Sequence, residues 1–439
     1  MQKGQRVFIV DYDSCSPLGI GNENIMKSIH DNYSAGNTIT SFSTEGLGAT
    51  GAAEVRGDLA KIYANELPQI KKMAHYDKKL ELMVANYHLM KTRLEKMLMP
   101  IPEEKKGVIL GLGLDVTPLE TIQAEFFASS TNPAWNYINA IEKLNYGQGR
   151  VNTLLNPLDI SAIYLAEKLG LAAFQKTILT ACTASTQAII YATRALQTGE
   201  VEAVLAGGTD SIINLMAYLA FGKLGVMSTS SEHPSKYCKP LDLARRGTLI
   251  GEAAGLSLLA NEEAVSKYSL PTKFEIIGMG NTLDGYKITA PDPKGLGMKA
   301  AIGNAVASAQ ISAEQIDYIN LHGTGTLSND EIELQSIVEL FEEKAANISV
   351  SSTKSRHGHA IAAAGIQEFN LLMSCMEENI VPYNLNLENP ISVTHPIDIV
   401  MHENKKKNLN IGMTNNFAFG GVNSSIIIKK VSYGSSITK

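Results

Sequence analysis

The chain has 439 residues, 44% of them hydrophobic and 19% charged, which is enough for two or three domains around a large shared core and excludes a disordered chain. Lysine and arginine total 38 against 44 acidic residues, and the resulting net charge of −6 gives no global attraction for nucleic acid. Cys15, Cys182, Cys238 and Cys375 lie far apart with no CxxC or Cys/His ligand cluster, a pattern that argues against a disulfide scaffold or a metal site and leaves room for one catalytic thiol in a reducing compartment.

The first apolar run, VFIV, is too short for a signal peptide, and no stretch is apolar over the ~20 residues of a spanning helix, so a cytoplasmic location is expected. Short β-branched runs predict strands at 7–10, 108–112, 177–180, 203–206 and 256–259, with helical periodicity at 81–97, 161–169 and 184–196. A second series predicts strands at 274–277, 318–321, 348–350, 411–414 and 425–428, with helices at 297–308 and 331–340. The alternation reads as α/β. Each series contains a strand that runs into a helix opening on small residues: ILTACTASTQAIIYATRAL in the first and ISVSSTKSRHGHAIAAAGIQEF in the second. A duplicated α/β unit with its halves packed face to face is expected, over 1–262 (with inserted helical or capping segments) and 273–439, joined by a linker at 262–272 that ends near Pro271.

Four segments carry candidate chemistry. In TILTACTASTQA a strand ends at about Ala181 and a helix begins at once, so helix-terminal N–H groups and the macrodipole would favour a Cys182 thiolate, with small neighbours leaving room for a substrate. An inert core cysteine fits the same local pattern. In YINLHGTGTLSNDEIE, His322 ends a strand ahead of a Gly/Thr turn, Thr324 and Thr326 offer hydroxyls, and Asp330 and Glu333 open a helix where the dipole alone would account for them. In SSTKSRHGHAIAAAG, Lys354 needs a carboxylate if buried, with Asp330, Glu333 and Glu368 as candidates, and His359 follows with His357 beside it. One histidine is more often structural, but a cysteine and two histidines each placed just after a strand make a better catalytic set together. In NNFAFGGVNSSIII, Gly420 and Gly421 read either as a hairpin turn or as a loop that closely approaches a substrate and carries an aromatic gate.

Together these segments resemble the elongating (type II-like) β-ketoacyl-acyl carrier protein synthases of the thiolase superfamily, over nearly the whole chain. KPLDLARRGTLIGEAAG, LDGYKITAPDPKGLG and RVFIVDYDSCSPLGIG resemble further segments of that family in the same order. The resemblance implies a thiolase fold, two duplicated halves in a layered αβαβα arrangement, with Cys182 in the first half and both catalytic histidines in the second. It implies that Cys182 takes the acyl chain, that His322 and His359 hold the malonyl thioester and stabilise the enolate formed on loss of CO₂, and that Lys354 orders the site through carboxylates, with Glu368 in support. It further implies that Thr324 and Thr326 bind the phosphopantetheine arm, that Phe419 gates the site, and that the N–H groups of Cys182 and Phe419 form an oxyanion hole. No resident cofactor is expected, since phosphopantetheine arrives on the acyl carrier protein. Lys71 and Lys72 in QIKKMAHYDKK, continued by Lys78 and Lys79, are the expected docking patch for that acidic partner, though a solvated helix face would look the same.

The chain departs from the family at Asp11-Tyr12, at Arg245-Arg246-Gly247 where the family carries Arg-Asp-Gly, at Ala253 in Gly251-Glu252-Ala253-Ala254-Gly255, and at Ala418 in place of a hinge glycine. These point to a divergent branch serving fatty acid or specialised polyketide or polyene synthesis, and Ala418 to a stiffer gate. A degradative thiolase would need a second cysteine in the C-terminal glycine loop, and starter-type or chalcone-type synthases use Cys/His/Asn; neither matches. A non-catalytic chain-length-factor-like partner of another ketosynthase is the alternative, but such partners lack the nucleophile. A homodimer, or a heterodimer with a related ketosynthase-like subunit, is expected, with no nucleic acid and no membrane span.

Overall fold

The computed structural model describes residues 4–66, 78–114 and 158–431. Ten strands build its framework: β1 (Val7–Ser16), β2 (Lys106–Leu112), β3 (Phe174–Ile178), β4 (Ala203–Ser211), β5 (Ile250–Asn261), β6 (Phe274–Leu283), β7 (Tyr318–Asn320), β8 (Ser349–Ser351), β9 (Ile411–Phe417) and β10 (Val422–Lys430). The first five run in the order β3-β2-β4-β5-β1, and the second five in the order β8-β7-β9-β10-β6. In each set the first two pairings are parallel and the next two antiparallel. A short antiparallel contact of β1 with β6, with Val7 opposite Ile276, joins them. The same topology written twice is the duplication that the two sequence series foreshadow.

Both sheets are buried on two faces, which explains why their strands read as unbroken apolar runs. Along β1, Phe8 and Val10 face an outer core built with α1 (Lys78–Leu98) and α2 (Ile160–Leu169). Val7 and Ile9 face the opposite way, into a central core shared with α3 (Ala184–Gln197) and the last helix of the described chain. Along β10, Ile426 and Ile428 join that central core. Ile427 turns outward to α5 (Leu296–Ala309) and α6 (Leu327–Phe341). The period of two along a strand thus sorts side chains between layers, giving an αβαβα stack. The expected layered thiolase fold is the one observed.

The central layer sets up the site. Helix α3 follows the 3₁₀ turn Ala181–Thr183, and α7 (Ala364–Glu378) follows the 3₁₀ turn Ile361–Ala363. Each turn opens on a non-glycine residue in the left-handed region, Ala181 at φ 47° and Ile361 at φ 43°. Such a conformation costs roughly 1–2 kcal/mol, and two at matched positions of a duplicated unit mark a constrained entry to each helix. Small residues let the two helix starts and β2 pack closely. A Cβ on Gly365 would lie 2.0 Å from Thr186 Oγ1, and one on Gly111 would lie 2.2 Å from the Ser185 nitrogen. The Ile366 N–H donates to Ser185 Oγ at 2.9 Å, tying the two helix starts together.

Strand and helix cores fall where the sequence places them, while the ends differ. The strand expected at 177–180 lies at Phe174–Ile178, because Leu179 and Thr180 already belong to the turn that leads to Cys182. The linker expected at 262–272 contains the short helix α4 (Glu262–Tyr268), capped by Asn261, whose side chain accepts the Ala264 N–H.

Candidate active site

The two matched turns and the loop after β7 bring a thiol and two imidazoles to one place. Cys182 lies in the first turn, ahead of α3, and His359 lies two residues ahead of the second turn. The His359 backbone is clamped to β5: its N–H donates to Leu249 O at 2.7 Å, and its carbonyl accepts the Gly251 N–H at 2.9 Å. His322 follows β7. The Cys182 sulfur and a ring nitrogen of each of His322 and His359 all lie within 4.8 Å of one another, and all three residues are buried. His359 Nε2 sits 3.1 Å from Cys182 Sγ, and the two imidazole rings meet edge to face at 5.3 Å.

The hydrogen bonds assign the tautomers. The Ile361 N–H donates to His359 Nδ1 at 3.3 Å, so Nδ1 is an acceptor and the ring proton sits on Nε2. The Lys354 ammonium can only donate, and its Nζ lies 3.4 Å from His322 Nδ1, so that ring too carries its proton on Nε2. Burial and the nearby Lys354 charge hold both histidines well below the usual imidazole range, hence neutral. The site therefore presents two neutral N–H donors beside a thiol.

Lys354 is buried, and Glu368 is its carboxylate partner among the three candidates. Its Nζ also donates to His322 O at 2.6 Å. Asn416, to which the sequence assigns no role, completes the network. Its Nδ2 donates to Glu368 Oε2 at 2.7 Å and its Oδ1 accepts Thr186 Oγ1–H at 2.6 Å. Asp330 and Glu333 do different work. Glu333 accepts the N–H groups of His322 and Gly323, both at 2.8 Å. Asp330 accepts those of Leu241 and Gly325 at 2.9 and 3.1 Å. They fix the loop behind His322 and leave Lys354 to Glu368. Burial pushes Glu333 up to about 7.

The Cys182 thiol behaves differently from the sequence expectation. Desolvation pushes it up to about 12, outweighing the Lys354 charge and the hydrogen bonds from the backbone N–H groups of Cys182 and Phe419. The helix terminus does not make a resting thiolate. The two N–H groups that face the sulfur are the pair expected at an oxyanion hole. His357 is no bystander: its Nδ1 donates to Gly358 O at 2.7 Å and its Nε2 accepts Thr353 Oγ1–H at 2.9 Å. It is a neutral structural group, lowered to about 3 by burial, that braces the segment carrying His359.

A cleft of about 340 Å³ opens over Cys182, His322 and His359 and is lined further out by Thr324, Thr326, Arg246 and Phe419. Thr324 and Thr326 hydroxyls are 2.8 Å apart. Phe419 is half-buried at the tip of the β9–β10 hairpin. Gly420 and Gly421 do not line the cleft. They close the hairpin at φ 85° and 77°, which is the turn reading of this segment. Asp284, in LDGYKITAPDPKGLG, is a further residue to which the sequence assigns no role. It lines the cleft, accepts the Asn423 side chain at 2.7 Å, and donates its N–H to Gly421 O at 2.8 Å. Lys71 and Lys72 lie outside the described residues. Lys78 pairs with buried Glu252 at 2.7 Å and Lys79 is buried, so neither extends a free basic face.

Comparison with known proteins places this geometry. Residues 102–264 match the Beta-ketoacyl synthase, N-terminal domain, and residues 273–388 match the Beta-ketoacyl synthase, C-terminal domain. The 3-oxoacyl-[acyl-carrier-protein] synthase 2 of Coxiella burnetii is 28% identical over 97% of this chain and 99% of that protein. The enzyme of the same name from Synechocystis is 32% identical over 65% of this chain and 70% of that protein. That of Rhizobium meliloti is 37% identical over 58% of this chain, and the matched part spans only 60% of the relative. Among solved structures, a type II polyketide ketosynthase complexed with its acyl carrier protein and bound to a hexaketide (AntDE:AntF) covers 98% of this chain and is itself covered in full, with a TM-score of 0.82 and 21% identity. The ketosynthase ApeO of Xenorhabdus doucetiae, solved with its chain length factor, has a TM-score of 0.75 and 25% identity over 97% of this chain and 98% of that one. With a Cys–His–His cluster on a duplicated thiolase fold and both halves matched, the chain belongs to the β-ketoacyl synthase family.

Proposed function

We propose that the chain catalyses the decarboxylative Claisen condensation of an acyl thioester with malonyl-acyl carrier protein, giving β-ketoacyl-acyl carrier protein, in fatty acid or specialised polyketide or polyene synthesis. The observation that carries this reading is the pair of neutral Nε2–H donors beside a buried thiol.

Cys182 Sγ attacks the acyl carbonyl, the N–H groups of Cys182 and Phe419 hold the oxyanion, the bond to the carrier sulfur breaks, and that sulfur takes the proton lost by Cys182 and leaves as a thiol. The malonyl thioester then enters with its carbonyl oxygen between His322 and His359. The C–CO₂⁻ bond breaks, its electrons move into the thioester to form an enolate, and CO₂ departs. Two fixed donors address charge that develops only in the transition state, where each is worth about 10²–10³ in rate. The enolate carbon attacks the acyl group on Cys182, the bond from the acyl carbon to Sγ breaks, and the released thiolate takes a proton from solvent, which restores the thiol. Lys354, held by Glu368, keeps His322 in its donor tautomer and needs no contact with substrate.

Phosphopantetheine is substrate-borne, its arm lying along Thr324 and Thr326, and Lys71 and Lys72 dock the acidic carrier. Strand β3 ends its sheet with no partner on its outer edge among the described residues, and exposed Leu179 follows it. That edge suits pairing with a second subunit, either a copy of this chain or a related ketosynthase-like chain. No helix among the described residues is long and apolar enough to cross a membrane, in keeping with a cytoplasmic enzyme. The retained nucleophile disfavours a chain-length-factor-like role.

The test is Cys182→Ala with malonyl-carrier protein. Condensation should be lost while CO₂ release continues, because both histidines remain. Condensation by the variant, or an inert Cys182 in the parent on exposure to acyl-carrier protein, would remove this reading.

A further inference from the structure

The outer cleft holds a cation that the reaction as described leaves unused. Arg245 and Arg246 are adjacent and differ in role. Arg245 is buried, and its guanidinium donates to Thr326 O at 3.0 Å, Leu327 O at 2.7 Å and Asp242 O at 3.0 Å. Gly247 N–H donates to Gly325 O at 3.0 Å. The 245–247 segment is thus fastened along the Thr324–Thr326 loop. Arg246 between them is exposed and lines the cleft that leads to Cys182. One of its nitrogens, Nη1, donates to Arg245 O at 2.8 Å, and no carboxylate pairs with it among the described residues.

We propose that Arg246 binds the phosphate of the phosphopantetheine arm, as a positioning residue for the carrier-borne substrate. This rests on the function proposed above. An arm whose thioester lies at Cys182 and whose middle passes Thr324 and Thr326 brings its other end, a phosphodiester, out at the exposed rim where Arg246 stands. A planar guanidinium with free N–H groups is the side chain best matched to a phosphate, and its own backbone contact leaves most donors available. The malonyl carboxylate is a poor alternative ligand, because the carboxylate must be expelled beside the buried imidazoles and not at an exposed rim. The acidic surface of the carrier is the other anion in reach, and the test separates it.

The full chain is incubated with iodoacetamide, and protection of Cys182 is measured against two unreactive thioethers, S-methyl-pantetheine and S-methyl-4′-phosphopantetheine. These differ only by the phosphate. In the parent the phosphate should lower the half-protecting concentration about tenfold or more. In Arg246→Asp that gain should vanish with S-methyl-pantetheine protection unchanged, and Arg246→Lys should keep part of it. Protection that ignores the phosphate in the parent overturns the assignment, as does an Arg246→Asp variant that keeps the phosphate gain or loses protection by both compounds equally. An Arg246→Asp variant that weakens only carrier-borne substrate assigns the residue to the carrier surface instead, which also overturns it. Because protection needs no turnover, a phosphate effect in a chain that fails to condense would sink the proposed reaction and leave this site standing.

Discussion

His359 Nε2 lies 3.1 Å from Cys182 Sγ with its proton already in place, because the Ile361 N–H occupies Nδ1. The imidazole is thus a donor to the sulfur, or to a carbonyl that replaces it, and cannot also accept the thiol proton at Nε2. His359→Ala should therefore reduce decarboxylation of malonyl-carrier protein by about 10²-fold or more. Acyl transfer to Cys182 should change far less. Single-turnover acylation against CO₂ release separates the two, and loss of acylation with normal decarboxylation would reverse the assignment.

The thiol itself makes a pH prediction. Burial disfavours the charged form and pushes Cys182 up to about 12. The thiolate is the nucleophile, so its fraction rises about tenfold per pH unit below that value. Alkylation of free Cys182 by iodoacetamide should keep climbing from pH 7 to pH 10, where an unperturbed cysteine, near 8.5, would be levelling off. A plateau near pH 7 would mean that the helix terminus and the N–H pair outweigh burial.

Lys354 and Glu368 are both fully buried and face each other. Removing one partner leaves an uncompensated charge, so Lys354→Met should destabilise the fold by about 3–5 kcal/mol in urea denaturation. Glu368→Gln removes the carboxylate charge and keeps an acceptor for Asn416, and adding it to Lys354→Met should recover much of that loss. Decarboxylation should stay impaired in the double variant, since nothing then holds His322 Nδ1 as an acceptor. Recovery of activity along with stability would show that the lysine acts only on the fold.

The sequence made the Cys182, His322 and His359 convergence legible because each follows a strand, and the duplicated topology, with Cys182 and His359 at matched strand ends, brings those ends together. The apolar runs showed which strands are covered on both faces. Partner choice was not legible. Asp330, Glu333 and Glu368 are equally acidic on paper, and only the packing of α6 and α7 decides that Glu368 meets Lys354 while the others hold backbone N–H groups. The Cys182 environment is not legible for a related reason. A helix start is visible in sequence, but the depth of burial that overrides its dipole belongs to the assembled layers. Asn416 stood beside the glycine loop with no local signal, since its partners are 230 and 48 residues away.

The loop over the cleft gives the last prediction. The sequence points to Ala418 as the stiff position, since a Cβ there would resist a positive φ. In the structure the left-handed positions are Gly420, at φ 85°, and Gly421, at φ 77°, while Ala418 is not among the residues with positive φ. Ala418 N–H bonds to Val422 O at 2.9 Å and its carbonyl accepts the Gly421 N–H at 3.0 Å, both of which a glycine would preserve. Its methyl packs against the cluster that includes Cys182 and Ile361. Ala418→Gly should then cost less than about 1 kcal/mol and leave acylation rate and chain-length profile within about threefold of the parent. Gly421→Ala should act more strongly. Its new Cβ would meet Asp284 Cβ at 3.0 Å, on the residue that holds both Gly421 and Asn423, besides occupying a strained φ. Gly420→Ala meets nothing within 4 Å and carries the backbone strain alone, about 1 kcal/mol. Acylation should therefore slow in the order Gly421→Ala, Gly420→Ala, Ala418→Gly. A broadened chain-length profile for Ala418→Gly, with Gly421→Ala equal to the parent, would return the hinge to residue 418 and require the loop to pass through a state in which that residue turns left-handed.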